Sequence, residues 1–406
     1  MDKHVVIIGA SVAGVGAANE LRACGFAGRI TLLDTQPHLP YDRPPLSKGV
    51  LVDDGAHARL GFHAEDHYTS AGIELRTGCA VLALDAAART LALATGDTLR
   101  ADAVVIATGA RARVLPGTEH LPGVVTVRGV DDALRLKQAL RSARKLAVVG
   151  GGFVGAEVAS SARKLGIPVD VYEAEAWPFL RILGQDIAAR LARFHTEAGV
   201  HLVTGVRVAA VTARQPSGYT LALSSGETRS ADVVVVGLGA VPNVEFLVDS
   251  GVEVADGVVC DAFGHTSVPG VYAAGDVANW PNVHGGPRHR DEHWTSAREQ
   301  ARIVAHHIVG QATSAWAAYV PYFWSDLYGR RIQVLGTPQY ADEVRLVFED
   351  PEKGAFVAEY LSGGEVIAVA GCGAAVRVSK YRAQLPRPPR QWAAPRDQAP
   401  AVPAHC

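Results

Sequence analysis

The chain has 406 residues, 48 % of them apolar and 20 % charged, a globular balance with material for several cores; at roughly 150 residues per domain, two or three domains are expected. A formal net charge of −2 gives no overall pull toward nucleic acid or an anionic membrane, so any electrostatic recognition is local. The longest uncharged apolar runs, near Val233–Val241 and Val366–Val376, fall short of the roughly 20 residues that span a bilayer. Met1-Asp2-Lys3 leads straight into an apolar strand, His4–Ile8, from which no signal peptide and a soluble cytoplasmic protein are expected. That strand breaks into Gly9-Ala10-Ser11-Val12-Ala13-Gly14, and a helix follows to about Ala23. Strand, glycines and helix in that order make a dinucleotide-binding loop, with Ser11 where its middle glycine would stand. A second strand, Ile30–Leu33, ends at Asp34, placed either to accept hydrogen bonds from a ribose or to sit in a solvated strand-end turn.

Next comes Pro40-Tyr41-Asp42-Arg43-Pro44-Pro45-Leu46-Ser47-Lys48, whose prolines fix the backbone and cannot belong to a central strand. It presents Arg43 and Lys48 to a phosphate or an electron-rich ring, or else displays two solvated cations. Alternating segments near Cys79–Ala83 and Thr90–Ala94 predict a small antiparallel sheet. The buried strand from Ala103 closes in Ala107-Thr108-Gly109, a small-residue turn that lets a bulky cofactor lie against backbone.

The loop device then recurs more completely. Leu146–Val149 runs into Gly150-x-Gly152-x-x-Gly155 with Val154 between, and the helical stretch from Ala156 carries Glu157. Gly150 permits the tight turn, Gly152 close approach of backbone to a pyrophosphate, and Gly155 packing of helix on strand. The phosphates would sit at the helix N-terminus. The following strand, from Val169, ends at Glu173, whose carboxylate suits ribose hydroxyls and repels a 2′-phosphate, favouring NADH over NADPH. Val233–Gly239 repeats the strand-then-glycine ending after this second fold. Val271–Asp276 ends in Gly275-Asp276, where the acid either meets a polyol hydroxyl or caps a helix before Val277. From about Trp316 short strands predominate (Ile332–Leu335, Val344–Phe348, Phe356–Leu361, Val366–Val369), and the stretch Arg377–Arg396 is basic with no acid. Cys24, Cys79, Cys260, Cys372 and Cys406 form no CxxC pair, and neither His306-His307 nor His284, His289 and His293 show metal-ligand spacing, so no redox disulfide and no metal are expected.

The predicted class is therefore α/β: two Rossmann-like, glutathione-reductase-type units plus a C-terminal α+β domain. The expected boundaries are 1–112 with 241–315, 113–240, and 316–406.

With these motifs assembled, the chain resembles the FAD-dependent, NADH-linked ferredoxin reductases that serve bacterial aromatic-ring dioxygenases and cytochromes P450. The Pro40–Lys48 loop looks like that family's flavin-side loop. The resemblance implies that Lys48 lies near the flavin N5 and pairs with Glu157, that Asp276 holds the ribityl chain, and that Arg128 in Val127-Arg128-Gly129 contacts FAD. Ala13 and Val81 fall on its adenosine-side contacts; Gly9, Gly14, Asp34, Arg43, Thr108, Gly109 and Gly275 complete the FAD set. Gly150, Gly152, Val154, Gly155, Glu157, Glu173, Arg181 and Gly239 are assigned to NADH. Glu292-His293-Trp294 and Tyr322-Phe323-Trp324-Ser325-Asp326 resemble segments bordering the flavin edge, making Trp294 and Trp324 candidates for lining an electron exit. The implied partner is an acidic [2Fe–2S] ferredoxin docking transiently on basic residues, with Arg288, Arg290 and the Arg377–Arg390 run as candidates, on a monomer or homodimer. Alternatives are an NADH oxidase or rubredoxin reductase, and an interaction flavoprotein like apoptosis-inducing factor.

Overall fold

A computed structural model describes residues 3–282, 288–313, 316 and 319–385. Strands such as Val233–Val236 are buried at every position, as a parallel sheet covered on both faces requires. The first sheet is parallel throughout, in the order Val271–Ala273, Ala103–Ile106, His4–Ile8, Arg29–Leu33, Ile73–Arg76. The second repeats the pattern with Val124–Val125, Val233–Val236, Leu146–Val149, Val169–Tyr172 and His201–Val203. In each sheet the strand that feeds a glycine loop is central. Its loop opens at the carboxyl end, where strand order reverses and α/β sheets take their ligands.

Each unit also carries a three-stranded antiparallel meander. In the first it is Val81–Asp85, Thr90–Leu93 and Thr98–Arg100, near where alternation predicts it. In the second it is Val208–Ala213, Tyr219–Leu223 and Thr228–Ala231, which the sequence did not signal. The reason is local: a register shift between Val208 and Ala210 leaves only Val208 and Val211 buried in its first strand, so the period of two is lost. The chain passes between the units twice, and the two passages, Ala110–Ala112 and Ala240–Pro242, pair antiparallel.

The C-terminal strands form one antiparallel sheet in the order Tyr322–Leu327, Arg330–Gly336, Glu365–Cys372, Ala355–Ser362, Glu343–Asp350. Phe323, Leu327, Ile332, Phe356 and Tyr360 pack on Leu183, Ile187, Leu191 and Phe194 of helix Leu180–Glu197, so this sheet is anchored to the second unit. In the first unit, helices Val12–Ala23 and Trp294–Ile308 lie against each other through small residues. A methyl group at Gly16 would already stand 3.4 Å from the Ala301 Cβ. Among the described residues no helix is long and apolar enough to cross a membrane.

Candidate active site

A cleft of about 630 Å³ opens at the carboxyl end of the first sheet, within the size range of cofactor sites. Its walls come from the first glycine loop, the strand end at Asp34, the Asp42–Lys48 loop, the Ala107–Arg111 turn, Arg128, Gly275-Asp276 and Glu292–Trp294. The second unit contributes Phe153, Val154 and Glu157, and the C-terminal sheet Phe323 and Trp324. Ala13 and Val81 also line it.

Both glycine loops are built alike. Gly9 has φ +106° and Gly150 φ +97°, and a Cβ on either would come within 2.3 Å of a carbonyl oxygen on the neighbouring strand end (Ala107 and Gly237 respectively). Gly14 and Gly155 are closed in the same way by the carbonyls of Gly9 and Gly150. At Gly152, by contrast, an added Cβ would meet no protein atom within 4 Å, so the backbone there faces open space. In the first loop Ser11 uses that position: its Oγ accepts from Arg43 Nε at 3.2 Å. Each strand-end acid braces its own loop. Asp34 accepts from the amides of Ala10 (2.7 Å) and Gln36 (2.8 Å), and Glu173 from those of Gly151 (2.7 Å) and Glu175 (2.9 Å).

Arg43 supplies the test of whether an anionic dinucleotide fits. Its guanidinium donates to Ser11 and to the Arg128 carbonyl (2.6 Å) and makes no ion pair among the described residues. Burial, and then the nearby Arg128 charge, push its pKa down from the usual arginine value. A partly buried cation with no ion pair of its own among the described residues, beside a glycine loop and a helix N-terminus, fits an anionic dinucleotide such as FAD. Arg128 donates through Nη2 to Asp276 Oδ2 at 2.6 Å and through Nε to the Ala110 carbonyl. The helix-cap alternative for Asp276 fails, because the chain continues into a strand, Ala278–Trp280. Thr108 and Gly109 are clamped by Asn243, a residue the sequence did not single out. Its side-chain amide donates to the Thr108 carbonyl (2.9 Å), while its main-chain carbonyl accepts from Thr108 Oγ1 (2.8 Å).

Lys48 Nζ lies 2.8 Å from Glu157 Oε1. The Glu157 carboxylate is 6 % exposed and also accepts from Ser47 Oγ and Ser325 Oγ, each at 2.6 Å. One acid thus gathers the proline-rich loop, the second unit's helix Phe153–Lys164 and the C-terminal sheet. Neither serine was legible as a site residue, since each contact closes across more than 100 positions. Trp294 donates from Nε1 to Asp42 Oδ1 (2.8 Å) and stands edge-on to Trp324, with centroids 6.3 Å apart. Trp324 stacks on Tyr322, and the exposed Arg382 covers that ring. Burial raises the pKa of Asp42 despite the Trp294 donor. His293 stacks on Phe323 at 4.5 Å. Burial works against its charge, but Asp291 at 2.5 Å outweighs that and raises the imidazole pKa. Burial likewise opposes ionisation of Asp291, yet the histidine holds it at about 2.

Gly150, Gly152, Gly155, Glu173 and Gly239 do not line this cleft; of the Gly150–Gly155 stretch, Phe153 and Val154 do. Arg181 is paired with Glu175, two positions beyond Glu173. One docking candidate, Arg290, is corrected, while Arg288 is exposed. Arg288 donates to the Cys260 and Asn279 carbonyls. Arg290, its side chain 9 % exposed, is held by Asp256, Glu292 and the Asp276 carbonyl. Asp256, Glu292 and a main-chain carbonyl draw the Arg290 guanidinium inward. Arg377, Lys380 and Arg382 are exposed; His284, Arg387, Arg390, Arg396 and Cys406 lie outside the described residues. The four described cysteines are unpaired, and Cys79 alone among them lines the cleft.

The chain matches known proteins over most of its length. Residues 3–301 match the pyridine nucleotide-disulphide oxidoreductase family model, and residues 322–395 the reductase C-terminal family. The chain is 42 % identical over 338 residues to the ferredoxin reductase component of chlorobenzene dioxygenase from Cupriavidus sp. (strain PS12), covering 83 % of this chain and 81 % of that one. Among solved structures, the ferredoxin reductase for the CYP199A2 system of Rhodopseudomonas palustris superposes with a TM-score of 0.89 at 34 % identity, covering 94 % of each chain. A covalent putidaredoxin reductase–putidaredoxin complex gives 0.88 at 30 % identity, covering 94 % of this chain and 92 % of the other.

Proposed function

The chain belongs to the pyridine nucleotide-disulphide oxidoreductase family, and from that premise we propose that it is an FAD-dependent NADH:ferredoxin oxidoreductase supplying electrons, through a [2Fe–2S] ferredoxin, to an oxygenase. Residues 1–112 with 241–315 take FAD, 113–240 take NADH, and 316–406 form a third domain whose sheet completes the cleft. Bound there, FAD supplies the conversion of one two-electron donation into two single-electron deliveries.

The protein's own part is positioning and charge. Gly9, Gly14 and Ser11 bring backbone and Arg43 to the pyrophosphate, Asp276 meets the polyol, and the Thr108-Gly109 turn lets the cofactor lie against main chain. The second loop and Glu173 would hold NADH, with Val154 lining the cleft beside them. The observation that carries the reading is the Lys48–Glu157 pair: an ammonium fixed at 2.8 Å by a buried carboxylate, where both units and the C-terminal sheet meet. Such a cation stabilises negative charge that develops beside it during reduction, and Glu157 keeps it aimed. Trp294 and Trp324 line the side through which single electrons leave.

Stopped-flow mixing of the FAD-loaded protein with NADH, followed by cytochrome c reduction with and without a [2Fe–2S] ferredoxin, tests the reading. Rapid flavin bleaching with ferredoxin-dependent cytochrome reduction is expected. Oxygen-dependent NADH turnover at the same rate, indifferent to ferredoxin, would overturn it.

A further inference from the structure

We infer that Glu20, Cys24 and His306 form a binding site for a thiophilic divalent metal ion of the zinc class. Helix Val12–Ala23 ends at Cys24, and Glu20 stands one turn earlier on the same face. The last turn of helix Trp294–Ile308 brings His306 against them, with its Nε2 3.0 Å from Glu20 Oε1. One ligand atom from each of the three lies within 4.8 Å of the others. Around zinc, bonds of about 2.0–2.3 Å place tetrahedral ligands roughly 3.2–3.7 Å apart, so side-chain rotations of about 1 Å close the set. All three residues are partly exposed, which leaves an entry path and a fourth position for water.

Sulfur, imidazole and carboxylate together select zinc-like ions over magnesium or calcium, which take oxygen ligands. Burial and the neighbouring Glu20 raise the Cys24 thiol pKa, while Arg302, held by Glu299, opposes them. Uptake therefore releases the thiol proton and strengthens as pH rises. No spacing in the sequence announces such a site, since Glu20 and His306 are 286 positions apart. Its placement matters for the cleft. The first helix carries the first glycine loop at its other end. The second presents Trp294 there, and its Gln300 accepts from the Gly275 amide at 2.7 Å. An ion across their far ends would staple both walls together. The site does not depend on which electron acceptor the protein serves.

The FAD-loaded protein, freed of metal with a chelator, is titrated with Zn²⁺ or Co²⁺ alone, desalted, and its metal counted. One ion per chain is expected, with tetrahedral Co²⁺ absorption at wavelengths beyond the flavin bands and a rise in melting temperature. Cys24→Ser and His306→Gln should keep their flavin spectrum yet lose about tenfold or more in affinity, at least what loss of an outer-shell partner costs. A His405→Ala/Cys406→Ser variant should bind as the parent does. Equal uptake by the parent and the Cys24→Ser/His306→Gln double variant, or uptake abolished by the tail changes, overturns the site.

Discussion

At the scale of single residues, a buried charge is tolerable only while its partners remain. Glu157 is nearly sealed from solvent and is balanced by Lys48 and two serine hydroxyls. Lys48→Met therefore has two separable effects. It leaves an uncompensated carboxylate, a change that costs about 3–5 kcal/mol in buried pairs, and it removes the cation proposed to lie beside the reacting ring. Adding Glu157→Gln removes the stranded charge. The double variant should recover most of the lost melting temperature, while flavin reduction by NADH stays roughly tenfold or more below the parent, ~1.4 kcal/mol in barrier. Recovery of the rate along with stability would make the pair purely structural. Arg43 carries the opposite imbalance, a cation awaiting an anion. Arg43→Gln should purify with less flavin, measured as the ratio of visible to ultraviolet absorbance. What the sequence revealed at this scale were residues tied to local geometry: the glycines, Asp34, Glu173, and the Lys48 loop through its family likeness. Asp42, Asn243, Ser47 and Ser325 stayed hidden because hydroxyl, amide and carboxylate partners found only on folding leave no local pattern.

At the scale of elements, helices and sheets that meet across units couple stability to pH wherever they bury a titratable group. His195 of helix Leu180–Glu197 is fully buried, and its Nδ1 pairs with Tyr328 Oη of the C-terminal sheet's first turn at 2.7 Å. Burial alone depresses its pKa from 6.5 to about 4. The unfolded chain therefore binds the proton more readily between those values, so stability is intact above pH 6.5 and falls as pH drops toward 4. The loss across that interval is on the order of 3 kcal/mol. His195→Asn keeps a polar group facing Tyr328 without a titration. Its melting temperature should fall less steeply than the parent's between pH 6.5 and 4, and parallel slopes would remove His195 as the cause. Element type was readable where a strand is buried at every position, as in Val233–Val236 or Leu146–Val149. It was unreadable where a bulge broke the alternation, at Val208–Ala213, and at Tyr322–Leu327, where Trp324, Ser325 and Asp326 interrupt the apolar pattern although Phe323, Ser325 and Leu327 all face inward.

At the scale of the whole molecule, a net charge of −2 cannot attract an acidic partner, so the distribution of charge must. The inward turn of Arg290 removes it from the proposed basic face and leaves Arg288 apart from Arg377, Lys380 and Arg382, three exposed cations close in sequence. Arg382 lies over Tyr322, which stacks on Trp324, itself edge-on to Trp294 in the cleft wall. The basic face thus adjoins the aromatic side of the cleft, and on the proposed reading a ferredoxin drawn to the first would be delivered to the second. Lys380 is the discriminating probe. Arg377 covers Phe348 and Arg382 covers Tyr322, so changing either also removes a ring contact, whereas Lys380 makes none among the described residues. Lys380→Glu should leave flavin reduction by NADH unchanged and slow ferredoxin reduction severalfold at an ionic strength of about 0.01 M, where charges act over ~30 Å. Near 1 M, where that reach shrinks to ~3 Å, variant and parent should converge, because only encounter has been altered. A deficit that persists undiminished at high salt would mean that Lys380 acts by contact or through the sheet, and the attraction would have to come from elsewhere on the molecule.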